Sequence, residues 1–168
     1  MNVVETERLL LRRFTADDAG FVLRLLNEPS FIQNIGDKNV RTQEQAVHYL
    51  VDGPIRSYQR HGHGLYLVVL KGSLQPIGMC GLLKRDRFPD VDLGYAFLPE
   101  FWSRGYGYES AAAVVDLARS SLGFSKIVAF VSPGNEDSIR LLRKLGFASA
   151  GETRLEPDAP AVSLYELA

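Results

Sequence analysis

Apolar and polar positions repeat along the chain with two different periods, and each change of period marks the edge of an element. Val3 to Arg13 has the two-residue period of a strand, with Leu9 and Leu11 sharing one face. Thr15 followed by Asp18 is an N-cap with an acid in the first turn. The helix it opens carries Ala19, Phe21, Val22, Leu25 and Leu26, and Pro29 is predicted to stop it or bend the chain away. A polar stretch covers Gln33 to Asn39. Thr42 and Gln45 have capping-box spacing, which predicts a second helix to about Tyr58.

From Gly64 the period returns to two. Leu65–Leu70, Gln75–Leu83 and Asp90–Leu98 form three predicted strands joined by short polar turns, an antiparallel meander. A helix over Ser110–Leu122 follows, then a buried strand over Lys126–Val131 and a helix over Ser138–Leu145 closed by Gly146. Two short strands finish the chain, near Phe147–Arg154 and Ala161–Leu167. The class is α/β (α+β): a mixed, mostly antiparallel central sheet with helices on both faces. No repeat, linker or low-complexity segment interrupts the order, so residues 1–168 are expected to form a single domain.

Composition narrows the partners. The formal net charge is −1 and no like-charged run exists, which argues against nucleic acid or an anionic membrane surface. The start, MNVVETERLLLRR, carries acids and arginines where a secretory signal needs an apolar run. No apolar stretch approaches the ~20 residues of a membrane span, so a cytoplasmic protein is expected. Cys80 lies in an apolar stretch without a nearby histidine and is predicted to be a core residue. His61 and His63 lack a third ligand nearby, so they are assigned to a surface turn and no metal is expected.

The candidate chemistry centres on Trp102-Ser103-Arg104-Gly105-Tyr106-Gly107, placed just before a helix rich in small residues. The first amides of a helix have no internal partner, and the helix dipole adds partial positive charge there. Glycines let a phosphate approach the backbone closely, so the segment is predicted to cradle an anion, with Arg104 as an extra donor. The nucleotide alternatives fail on their own requirements. A dinucleotide fingerprint needs a tight strand–turn–helix and an acid about twenty residues on, yet Pro99 to Arg104 intervenes and Lys126–Val131 holds no acid. A P-loop needs Gly-Lys-Ser/Thr, whereas Tyr108-Glu109 follows Gly107.

Three ordered blocks carry a family resemblance: Gly94-Tyr95 with Pro99, the Trp102–Gly107 segment with Glu109, and Asn135-x-x-Ser138 with Lys144-Leu145-Gly146-Phe147. Together with Thr6-Glu7-Arg8-Leu9 they resemble the GNAT acetyltransferase superfamily, in the branch of the ribosomal-protein N-terminal acetyltransferases. The resemblance implies acetyl-CoA as acyl-donor co-substrate and a splayed strand pair at a bulge. The pantetheine arm would pair with the backbone of Phe97 and Leu98, and the pyrophosphate would sit on Ser103, Arg104, Gly105, Tyr106, Gly107 and Tyr108. Glu109 is assigned a structural role, since an acid beside a phosphate is a poor ligand.

Acyl transfer to an amine also needs a base, an oxyanion donor and a proton for the leaving thiolate. The tyrosine that many such enzymes place four residues before Gly-Phe is Leu142 here. Ser138 is therefore the implied acid, against the alternative that it merely caps its helix. Asn135 would hold the pantetheine, N-cap the helix, or do both. Asp92 stands where some members carry a base, against the alternative of an exposed strand acid, and Tyr95 would line the pocket. An amide near Leu98 is assigned to the oxyanion, on the premise that the bulge leaves it unpaired. Glu28, Asp37, Glu156 and Asp158 would draw a cationic small-molecule or peptide amine to a monomer or homodimer. The competing reading is a catalytically silent CoA-binding regulatory or interaction module.

Overall fold

The structure, a computed structural model, describes residues 2–168. Two strands, β1 (Asn2–Glu5) and β2 (Leu9–Arg13), occupy the span predicted as one. The break is physical: Thr6 N–H bonds Leu9 O at 2.9 Å, and Thr6 and Arg8 turn out of the ladder toward Glu109. Helix α1 (Ala19–Leu26) is preceded by a short 3-10 turn with a full Thr15/Asp18 capping box. Pro29 does more than end it. Pro29 opens α2 (Pro29–Asn34) at the first position, where its missing N–H costs nothing, so part of the expected polar stretch is helical.

Helix α3 (Gln43–Leu50) carries the Thr42/Gln45 capping box. A π-helical turn over Val51–Ile55 takes in Pro54 and continues into α4 (Arg56–His61), beyond the predicted end. The wide turn absorbs the hydrogen bond that proline cannot donate. Strands β3 (Leu65–Leu70), β4 (Pro76–Leu83) and β5 (Val91–Phe97) form the antiparallel meander. Then come α5 (Tyr106–Ser120), β6 (Ile127–Val131), α6 (Glu136–Lys144), β7 (Ala148–Arg154) and β8 (Ala161–Leu167). They complete one eight-stranded sheet in the order β1-β2-β3-β4-β5-β6-β8-β7, antiparallel everywhere except β5 against β6.

Strand alternation sends side chains to two cores. Tyr66, Val68, Cys80, Leu93 and Ile127 pack beneath α5 and α6, around Ala111, Val114 and Leu142. Leu65, Leu67, Val69 and Met79 pack on the opposite face against Val22, Leu25 and Leu50 of α1 and α3. Cys80 is fully buried, and burial pushes its thiol up to about 12, so it stays protonated inside the core. Among the described residues no helix is long and apolar enough to cross a membrane.

The meander depends on one close approach. A Cβ at Gly81 would lie 2.0 Å from Gly64 O and 2.7 Å from Leu65 Cα, both backbone atoms that side-chain motion cannot clear. Gly81→Ala is therefore expected to cost about 3 kcal/mol and to lower Tm by roughly 6 °C or more. Thermal denaturation checks this, and an unchanged Tm would contradict the packing described.

Candidate functional site

The site begins where two strands part. β5 pairs with β6 only at Val91↔Ile127 and Asp92↔Val128. From Leu93 onward β5 keeps its ladder with β4, while β6 keeps its own with β8 as far as Val131↔Ser163. A cavity of about 700 Å³ opens at this gap. Leu98 N–H bonds Ile77 O at 2.9 Å. By ladder alternation, the main-chain groups of Ala96 and Gly94 face β4, while those of Tyr95 and Phe97 face the gap.

This corrects two sequence-based assignments. The Leu98 amide is already spent within the sheet, and Leu98 is buried in the α1–α3 core rather than lining the cavity. Phe97 does line it, but Phe97 O accepts from Trp102 Nε1 at 2.9 Å, which leaves the Phe97 N–H as the donor turned to the gap.

At the far end of β5 a short turn over Pro99–Phe101 leads to α5, which starts at Tyr106, four residues earlier than predicted. Ser103 and Gly105 both have left-handed backbone, with φ of +61° and +84°. Gly105 is the N-cap and has no side chain to close the helix, so the first amides stay open. Ser103, Gly105, Tyr106, Gly107 and Tyr108 line the cavity. Arg104 does not; its carbonyl accepts from the Arg8 guanidinium at 3.0 Å. Lys144 Nζ stands 4.2 Å from the Tyr108 ring centroid and adds positive charge nearby.

Glu109 holds this end in place. Its carboxylate accepts from Thr6 Oγ1 (2.5 Å), Arg8 N–H (2.9 Å) and Arg8 Nε (2.7 Å), bracing α5 against the β1–β2 turn. Burial alone would raise its pKa, but the bonds from Thr6 and Arg8 outweigh that and hold the carboxyl below its usual range.

Titratable groups divide between the two faces of β5. On the α5–α6 side, Tyr95 Oη lies 2.5 Å from Ser138 Oγ. Burial pushes the Tyr95 phenol up to about 12, against a smaller lowering by the Ser138 bond. The capping alternative for Ser138 falls to its neighbour: Asn135 is the N-cap and accepts from Ser138 N–H at 3.4 Å. Asn135 and Ser138 both line the cavity, and Leu142 is buried beside them. Tyr95 is the residue that pattern reading undervalued, because its partnership crosses from strand to helix.

On the other side lies Asp92, 3% exposed, so the exposed-acid alternative is excluded. Burial raises its pKa, and Arg85, with Nε 3.1 Å from Oδ1, pulls it partly back. Asp90 points elsewhere and pairs with Lys126 at 3.6 Å. The acids expected to draw a cation do not line the cavity. Asp37 pairs with Arg41 at 2.6 Å, Glu28 with Arg24 at 3.7 Å, and Glu156 lines a separate depression with Arg85 and Arg87. His63 is buried rather than in a surface turn, with Nδ1 3.3 Å from Leu82 O. Among the described residues no group of three His, Cys, Asp or Glu is placed to hold a metal ion.

A sheet that splays beside an uncapped, glycine-started helix defines the class, and comparison with known proteins agrees. Residues 8–148 match the family described as Acetyltransferase (GNAT) domain. The chain belongs to the GNAT acetyltransferase family. It is 31% identical over 154 residues to the uncharacterized N-acetyltransferase YoaA of Bacillus subtilis (strain 168), covering 90% of this chain and 86% of that protein. The crystal structure of an acetyltransferase from Agrobacterium tumefaciens str. C58 superposes with a TM-score of 0.82 at 24% identity, covering 100% of this chain and 95% of that one. RimL, a ribosomal L7/L12 α-N-protein acetyltransferase solved with coenzyme A, gives 0.83 at 18% identity over 99% and 97%. These two likenesses carry the fold.

Glu109→Ala is expected to cost about 1–2 kcal/mol, chiefly from the part-buried Thr6 bond, since the Arg8 pair is screened by solvent. Chemical denaturation measures it. A loss near zero would mean that α5 is held by packing alone.

Proposed function

We propose that this GNAT acetyltransferase is an N-acetyltransferase that uses acetyl-CoA to acetylate a primary amine, either a protein N-terminus or a small molecule. The observation that carries the reading is the β5/β6 gap. Open amides of the α5 N-terminus stand at one end of it, and acid and base candidates flank β5 on its two faces. The match to the GNAT family and the coenzyme A bound by RimL support the donor; the fold likeness to RimL supports the ribosomal-protein-like branch. We place it as a single cytoplasmic domain, monomeric or homodimeric.

The residues present fit the donor. The uncapped turn at Gly105, with Ser103, Tyr106, Gly107 and Tyr108, would hold the pyrophosphate, and the nearby Glu109 carboxylate is tied to Thr6 and Arg8. The backbone of Tyr95 would receive the pantetheine arm as an added strand, with the Phe97 N–H at the end of that pairing turned to the thioester carbonyl. Acetyl-CoA supplies the activated acyl group, whose transfer releases a thiolate that needs a proton.

Asp92 is the base: its raised pKa makes it a better acceptor for an ammonium proton than an exposed carboxylate, and Arg85 steadies it. Tyr95 and Ser138 form the acid pair. The phenol stays protonated at neutral pH, and each hydroxyl can pass a proton to the other. The Phe97 N–H takes the oxyanion role first given to Leu98. The two proton transfers thus occur on opposite sides of one strand.

Isothermal titration with acetyl-CoA should show binding, and an amine and peptide panel should release thiol. Binding without turnover of any amine would favour the silent module instead, and no binding would sink both. Ser138→Ala and Tyr95→Phe are each expected to lower kcat about 10²-fold while KM changes far less. Unchanged kcat in both would remove the pair from the chemistry. The rate should rise with pH through the raised Asp92 pKa, since only the carboxylate accepts a proton, and Asp92→Asn should erase that rising limb.

A further inference from the structure

The acceptor end of the cavity is positively charged, contrary to what the loop acids suggested. Lys38, from the segment after α2, and Arg85, from the β4–β5 turn, both line it together with Asp92. Asp92 is the acid that neutralises Arg85, through contacts of 3.1 and 3.5 Å. Among the described residues no acid pairs with Lys38, and the charge it feels is that of Arg85, a like charge. Lys38 is exposed by area, and the cavity wall on one side and then Arg85 lower its pKa. Two cations facing one acid leave an excess of one positive charge where the amine must enter. An anionic ligand would pair with Lys38 and with the Arg85 N–H groups that Asp92 leaves open.

The position matches the chemistry. Asp92 and Arg85 sit at the start of β5 and the α5 amides follow its far end, so along β5 Asp92 and Phe97 lie about 16 Å apart at ~3.3 Å per residue. The Lys38–Arg85 charge is therefore distinct from the phosphate cradle. It lies on the same face of β5 as the base, beside the apolar walls of Phe31, Met79, Leu83 and Phe130. Arg85 is further fixed by the Phe130 ring, with its Cζ 5.7 Å from the centroid.

Resting on the acyl-transfer reading above, we infer that the acceptor is an amine bearing a carboxylate close by, as in a free α-amino acid, with Lys38 and Arg85 as the carboxylate site. One excess positive charge suits a monoanion better than a dianionic phosphate, and the Arg85 N–H groups that are not turned to Asp92 remain to donate to a carboxylate beside Lys38. This selects a small-molecule acceptor over a protein N-terminus, whose nearest carbonyl is an uncharged amide.

The test compares each of the twenty amino acids with its carboxamide, adding phosphoethanolamine against ethanolamine. Two readouts are taken: the Tm of the protein saturated with coenzyme A, and thiol release with acetyl-CoA. At least one amino acid should raise Tm more than its carboxamide and show a kcat/KM roughly tenfold or more higher. Lys38→Gln should shrink that ratio through KM, and Lys38→Glu should invert it. Equal use of both forms, a ratio unmoved by Lys38→Glu, or preference for phosphoethanolamine overturns the inference and leaves acyl transfer standing. Absence of thiol release with every amine and peptide takes down the acyl-transfer reading itself, and this inference with it.

Discussion

The separation of β5 from β6 is the constraint on which the site depends. Two parallel strands that meet only at Val91 and Asp92 would ordinarily zip together, because each unpaired amide and carbonyl costs free energy. Here each strand is anchored on its other side, β5 by β4 and β6 by β8, and α5 and α6 pack beneath both. The open groups of Tyr95 and the Phe97 N–H are thus a stable feature of the fold, available to a ligand that can pair as a strand.

Everything else about the site is placed relative to that gap. Glu109 and Gly105 set the α5 N-terminus at one end, the first by bracing and the second by leaving the helix uncapped. Strand alternation then assigns opposite duties to neighbouring residues. Tyr95 joins Ser138 on the helix side, while Asp92 turns to Arg85 on the other. A strand can keep a proposed acid and a proposed base apart in this way because successive side chains point to opposite faces.

Much of this was legible in the order of residues. The meander, the helix caps at Thr15 and Thr42, and the turn before α5 all follow from local rules, and the structure contains them. The failures share one cause. Local pattern places a free amide at Leu98, but which amides face a partner depends on register, and the Leu98 N–H is bonded to Ile77 O. The single strand predicted over Val3–Arg13 was broken by Glu109, a residue about a hundred positions away. Asp92 and His63 are buried for the same kind of reason, since the β4–β5 turn and Phe124 cover them from elsewhere in the chain.

By itself the sequence determined the elements, their alternating faces and the glycine-started helix, because these depend on neighbours within a few residues. It also determined the family, through blocks whose spacing is linear. The tertiary structure alone decided which hydroxyl meets Ser138, which acid is buried, and which charges line the cavity. Glu28 and Asp37 are acids in the sequence, yet each is spent on its own arginine. Lys38 and Arg85 lie far apart in the chain, yet they meet at one cavity wall. Charge at a site is a sum over space, and only the fold specifies which residues enter that sum.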